Sequence, residues 1–161
     1  MTQGISVDSS LRTVEWKNNR VVMIDQTKLP NELIFVEYDD FNQVANAIKT
    51  LIVRGAPAIG VSGAFGLALA VLQSKATTKD DLVSDLEEAK KILFATRPTA
   101  VNLGWGLEKI MNVAKTGDSV EQIRELVISE AKTSLIAPEP PIPAKIMCFG
   151  FSKLFFSIVL L

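Results

Sequence analysis

From Ala56 to Leu72 no residue carries a charge, and apolar residues fall on every side of the helix that this stretch predicts. Gly60, Gly63 and Gly66 recur at three-residue intervals, with Ala64, Ala68 and Ala70 between them. Small residues so spaced let a second backbone approach closely, which offsets the poor helix propensity of glycine. A helix of this kind is either the centre of a bundle or a membrane span. The neighbouring segments decide for the bundle, because they are amphipathic and need an apolar element to cover. Phe41, Val44, Ala45, Ile48, Leu51 and Ile52 form a stripe at three-and-four spacing before it. Leu82, Leu86, Ala89 and Leu93 form another after it, opened by Thr78 and Asp81 at capping-box spacing. Leu103, Leu107, Ile110 and Ala114 make a third stripe, and Ile123, Leu126, Val127 and Ala131 a fourth behind Ser119 and Gln122. Four or five helices are expected.

Ahead of the helices, Thr13–Trp16 and Arg20–Ile24 are β-rich runs separated by Lys17-Asn18-Asn19, which suits a hairpin turn. Leu33–Tyr38 reads as a third strand. The fold class is therefore α+β, a small N-terminal antiparallel sheet followed by a helical bundle. Pro138 to Pro143 cannot be helical, and the ending from Ile146 to Leu161 is strongly apolar. Residues 1–137 are expected to form one domain and residues 138–161 a divergent Pro-rich and apolar tail.

The corner before the apolar helix reads Val53-Arg-Gly-Ala-Pro-Ala-Ile-Gly60. Arg54 is expected in the last turn of the preceding helix, with Gly55 at its end, and a cation is favoured there by the helix dipole alone. Pro57 suits a helix start, so a tight helix-to-helix bend accounts for the residues. The same geometry would aim backbone N–H groups and a guanidinium at one point, which suits a phosphate. Both readings stay open at this stage. Arg97 stands before Pro98-Thr99, at the mouth of a helix expected to start near Thr99. A salt bridge to a nearby glutamate would explain it, and so would an anion held jointly with Arg54.

Composition matters mainly for what it excludes. The chain has no histidine, which removes Ser-His-Asp and Cys-His catalysis and His-based metal sites. No metal cluster, phosphate-binding P-loop or dinucleotide fingerprint is visible, and Gly60, Gly63 and Gly66 lie inside a helix rather than after a strand. A net charge of −1 gives no electrostatic reason to expect nucleic acid or an anionic membrane. A single cysteine and no basic, apolar leader at the start lead to the expectation of a cytoplasmic protein.

Four segments carry a resemblance: Leu11-Arg-Thr-Val-Glu-Trp16, Val22-Met-Ile-Asp-Gln-Thr-Lys-Leu-Pro30, Val53-Arg-Gly-Ala-Pro-Ala-Ile-Gly60 and Thr96-Arg-Pro-Thr-Ala-Val-Asn-Leu103. In this order and at this spacing, residues 8–135 resemble the N-terminal part of the S-methyl-5-thioribose-1-phosphate isomerase family. Its superfamily includes ribose-1,5-bisphosphate isomerase and the regulatory subunits of the translation-initiation exchange factor. The resemblance implies that Arg54, Gly55, Ala56 and Arg97 bind a phosphorylated sugar, without metal or organic cofactor. It implies an aldose–ketose isomerisation in methionine salvage, and a homodimer for the full-length form. It also implies a catalytic cysteine and aspartate, neither of which this chain matches: Cys148 lies in Met-Cys-Phe-Gly rather than a Thr-His-Cys-Asn-like motif. The family's Rossmann-like C-terminal domain is likewise expected to be absent. The expectation is a truncated, inactive, substrate-binding part of the isomerase. A binding subunit akin to the exchange factor and a ribose-1,5-bisphosphate isomerase are the alternatives.

Overall fold

Residues 12–133 are described in the computed structural model, so the boundary at residue 137, the segment 138–161 and Cys148 lie outside the described residues. Strand β1 (Val14–Lys17) turns through Asn18 and Asn19 into β2 (Arg20–Ile24), and β3 (Phe35–Tyr38) pairs with the far edge of β2. Both pairings are antiparallel, with Val14 opposite Met23 and Val21 opposite Tyr38. Asn18 and Asn19 take φ of 50° and 58°, the doubly left-handed turn whose twist matches two paired strands. The third strand is shorter than its sequence suggests, since Leu33 and Ile34 precede the paired residues. Val14, Val21 and Met23 are buried, and the Trp16 ring lies 5.4 Å from that of Phe65, so one face of the sheet rests on the helices.

Five helices follow: α1 (Phe41–Lys49), α2 (Ala56–Gln73), α3 (Lys79–Thr96), α4 (Val101–Thr116) and α5 (Val120–Thr133). Helix α2 packs against every other helix and against β1 and β2. Among the described residues it is the one helix long and apolar enough to cross a membrane, yet 67% of it is buried inside the bundle. Its polar Ser62 is fully buried and donates its hydroxyl to the Ala58 carbonyl at 2.7 Å. The stripes expected from sequence face this helix: Leu82, Leu86, Ala89 and Leu93 of α3 and Leu103, Leu107, Ile110 and Ala114 of α4 are all buried.

The closest approach is between α2 and α4. A Cβ on Gly60 would lie 2.8 Å from the Asn102 carbonyl oxygen, and one on Gly106 would lie 2.5 Å from that of Gly60. The glycine spacing announced this crossing on the α2 side only, because Gly106 belongs to no such series. On the other side Gly66 faces Leu93 near the end of α3. Helix α3 therefore runs back along α2, and α4 returns, so that α2 and α4 begin at the same end of the bundle.

One expectation fails. Helix α1 ends at Lys49, so Arg54 is outside it rather than in its last turn. The Ile52 N–H donates to Ala47 O at 3.0 Å and the Leu51 N–H to Ile48 O at 3.4 Å, a Schellman ending. Leu51 supplies the left-handed residue, with φ of 64°, where glycine is usual. The stop is invisible to a glycine-based reading because the residue that makes it is a leucine within the apolar stripe.

Candidate functional site

The chain leaves α1 through Leu51, crosses back to the exit of β2, and enters α2 through Gly55. At that crossing the Gln26 N–H donates to Ile52 O at 2.9 Å, and the Gln26 side-chain Oε1 accepts the Arg54 N–H. Arg54 also donates Nε–H to the Leu51 carbonyl at 3.2 Å. It is exposed, and no carboxylate of the described residues pairs with it. Beside Gln26, the carboxylate of buried Asp25 accepts from the Thr27 hydroxyl at 2.6 Å and the Thr27 N–H at 3.0 Å. The Thr27 hydroxyl chiefly holds the Asp25 carboxyl below its usual value of 3.8, against the opposing effect of burial.

Gly55 sits at φ 89° and ψ 134°, a conformation that other residues adopt only under strain. Nothing lies within 4 Å of where its Cβ would be, so glycine is required for the backbone and not for space. Helix α2 then starts with no side-chain cap and no acidic residue in its first turn. Pro57 has no N–H, and Gly55, Ala56 and Pro57 are exposed. The N–H groups of Ala56 and Ala58 precede the first donor of the intrahelical ladder and point out of the helix end with its positive dipole.

Helix α4 starts the same way: Ala100 forms no side-chain cap and the first turn holds no acid. Arg97 caps the end of α3, donating its N–H to Phe94 O at 3.2 Å, and its own carbonyl accepts from Ala100 N–H at 3.0 Å. It is thus four residues ahead of α4, which begins at Val101 rather than near Thr99. At the end of α3 the dipole favours its charge even without a ligand. Among the described residues it makes no ion pair, which removes the glutamate bridge that its sequence neighbourhood allows. The structure brings Arg54, Gly55, Ala56 and Arg97 to one end of the bundle.

The remaining three helices begin at the opposite end, and each is closed by its own side chains. Asp40 accepts from Asn42 N–H at 2.9 Å, and Thr78 from Asp81 N–H at 3.2 Å. Ser119 accepts from Gln122 N–H at 3.2 Å, while the Gln122 side chain accepts from Asp118 N–H at 2.8 Å. That these starts share an end follows from Phe41 N–H reaching Gln73 of α2 and from Arg124 donating to Ser74 O at 2.9 Å. A cavity of about 280 Å³ lies at this far end among Phe41, Gln73, Asp85, Glu88 and Ile92, and its two carboxylates make it a poor host for a phosphate. Gln26 is the site residue that sequence reasoning missed. It stands 28 positions from Arg54, and no local periodicity marks it.

The family model described as the initiation factor 2 subunit family matches residues 52–147. A methylthioribose-1-phosphate isomerase from Geobacter metallireducens is 45% identical over 124 residues, which are 76% of this chain and 36% of the relative. One from Trichodesmium erythraeum is 48% identical over 119 residues, or 73% of this chain and 34% of the relative. The crystal structure of 5-methylthioribose 1-phosphate isomerase from Pyrococcus horikoshii OT3 superposes with a TM-score of 0.73 at 45% identity, covering 76% of this chain and 35% of that one. The crystal structure of translation initiation factor eIF-2B, subunit delta, from A. fulgidus gives the same TM-score at 44% identity, covering 78% and 36%. The chain thus spans roughly a third of the length of the relatives it matches, and with its sheet, its bundle and its two arginine corners it belongs to the initiation factor 2 subunit family.

Proposed function

We propose that this chain is the N-terminal, substrate-phosphate-binding part of an isomerase that converts S-methyl-5-thioribose 1-phosphate to S-methyl-5-thioribulose 1-phosphate in methionine salvage. The observation that carries the proposal is that two uncapped helix starts and two arginines without ion-pair partners share one end of the bundle. Relatives named for this enzyme match across that corner. Outward-facing N–H groups and two guanidiniums supply charge-assisted hydrogen bonds to a phosphate dianion. Opening a ring whose anomeric oxygen carries a phosphate further requires an acid and a base. The cysteine and aspartate implied by the resemblance have no counterpart in this sequence, so the chain binds the sugar phosphate and does not turn it over alone. The whole enzyme works in the cytoplasm as a homodimer on this reading.

The test is a pair of measurements on the 161-residue chain. Calorimetric titration should show binding of S-methyl-5-thioribose 1-phosphate and none of its dephosphorylated form. A coupled isomerase assay should show no turnover. Absence of binding would discard the phosphate site, and robust turnover would discard the need for residues beyond this chain. The equal structural match to the protein named eIF-2B subunit delta supports a second reading, a non-catalytic binding subunit of the exchange factor. Stoichiometric capture of purified initiation-factor subunits, without sugar-phosphate binding, would favour that reading.

A further inference from the structure

We infer that Gln26 is a positioning residue for Arg54, setting the direction in which this corner presents its guanidinium and its helix start. The inference deepens the phosphate-binding reading and rests on it. Three observations converge. The hydrogen bonds that end α1 reach only as far as Ile52, and residues 53–55 belong to no helix, with Gly55 at positive φ, so regular secondary structure does not fix how Arg54 is presented. Gln26 grips the connector twice, with its backbone N–H on Ile52 O and its side-chain oxygen on Arg54 N–H. Gln26 is itself held: Asp25 N–H donates to Ile34 O at 2.8 Å, and the Asp25 carboxylate closes the turn through Thr27. The half-buried glutamine thus links the sheet to the corner.

The second grip has a chemical consequence. With its N–H committed to Gln26 and its Nε–H to Leu51 O, Arg54 keeps only its terminal guanidinium nitrogens for a guest. Both commitments fix the stem of the side chain, so a phosphate meets an arginine that is already aimed. Without the Gln26 oxygen, the Arg54 N–H turns to water and the connector gains freedom that binding must then remove.

The test uses the isotopically labelled 161-residue chain, with amide exchange and S-methyl-5-thioribose 1-phosphate titration read on the same samples. In the wild type the Arg54 amide should be protected. Gln26→Ala should speed its exchange by at least about tenfold, leave the unfolding midpoint nearly unchanged, and weaken ligand binding by about fivefold to tenfold. Gln26→Glu keeps an acceptor oxygen and should restore the protection; its added charge opposes the anion, so only exchange is read on it. An unprotected wild-type Arg54 amide, unchanged exchange in Gln26→Ala, or lost protection with unchanged affinity would each overturn the inference. Wild-type affinity in Arg54→Ala, or no binding by the wild type, would instead sink the phosphate reading and with it the purpose assigned to Gln26.

Discussion

Helices α2 and α3 are both 18 residues long, lie against each other, and begin in opposite ways. Helix α3 is closed at its start: Thr78 accepts an orphan N–H, and Asp80 and Asp81 sit in the first turn opposite the positive end of the dipole. Helix α2 has glycine as its N-cap, no side-chain acceptor and no acid. Helix α4 repeats the open pattern, whereas α1 and α5 repeat the closed one. The open starts share the end that carries Arg54 and Arg97, and the closed starts share the other. Propensity alone would favour capping all five. Leaving two adjacent starts unsatisfied forgoes stability at the place where an incoming anion could supply the missing acceptor.

The comparison can be broken most sharply at Arg54. Arg54→Ala should weaken binding of S-methyl-5-thioribose 1-phosphate by about 10–100-fold, while stability moves by no more than about 0.5 kcal/mol, because the side chain is exposed, makes no ion pair among the described residues, and gives up a single exposed hydrogen bond to Leu51 O. Calorimetry and urea unfolding on one preparation check both halves. Next in size is Gly60→Ala, whose methyl would meet the Asn102 backbone and push the two open starts apart. It should cost about 1–3 kcal/mol in urea unfolding and weaken binding as well. A third test is a pair of variants that exchanges the two kinds of start. Thr78→Ala should lose about 1 kcal/mol of stability with no change in affinity. Ala100→Asp should gain about 0.5–1 kcal/mol, because Ala100 already has the extended backbone of a cap, yet weaken binding by placing a carboxylate beside the anion site.

The smallest effect concerns pH. The folded pKa of Asp25 lies below 3.8, chiefly through the Thr27 hydroxyl. Its contribution to stability is therefore fully present above 3.8 and is lost as pH falls through the lower folded value. Urea midpoints of the wild type and Asp25→Asn should differ by a constant amount at neutral and mildly acidic pH. The gap should narrow only in stronger acid.

The periodic parts of this molecule are legible in its sequence. The stripes of α3 and α4, the uncharged α2 and the Asn18-Asn19 turn all follow from spacing and turn chemistry, and α+β is the fold observed. Arg54 and Arg97 were singled out because each stands beside a helix-breaking residue. What spacing could not reveal depends on contacts distant in sequence or on residues in atypical roles. Leu51 ends α1 in a conformation normally given to glycine, which moved Arg54 off the helix. Gly106 forms half of the α2–α4 crossing from the first half of an apolar stripe, two residues after Gly104 and outside any three-residue series. Gln26 reaches Arg54 only because the sheet folds back onto the connector. The contrast between open and closed starts was hidden for a related reason: it is a property of which ends meet, and it emerges only once the order of the helices in space is known.

The central claim is that the end of the bundle with uncapped helix starts is the anion-binding end. It is tested most directly by titrating the isotopically labelled chain with S-methyl-5-thioribose 1-phosphate while following its backbone amides and arginine side chains. The account predicts saturable shifts concentrated at Gly55, Ala56, Ala58, Arg54 and Arg97, with Thr78, Asp81 and Gln122 unmoved and no response to the dephosphorylated sugar. Shifts centred on the capped end, or no saturable response at Arg54 and Ala56, would contradict it.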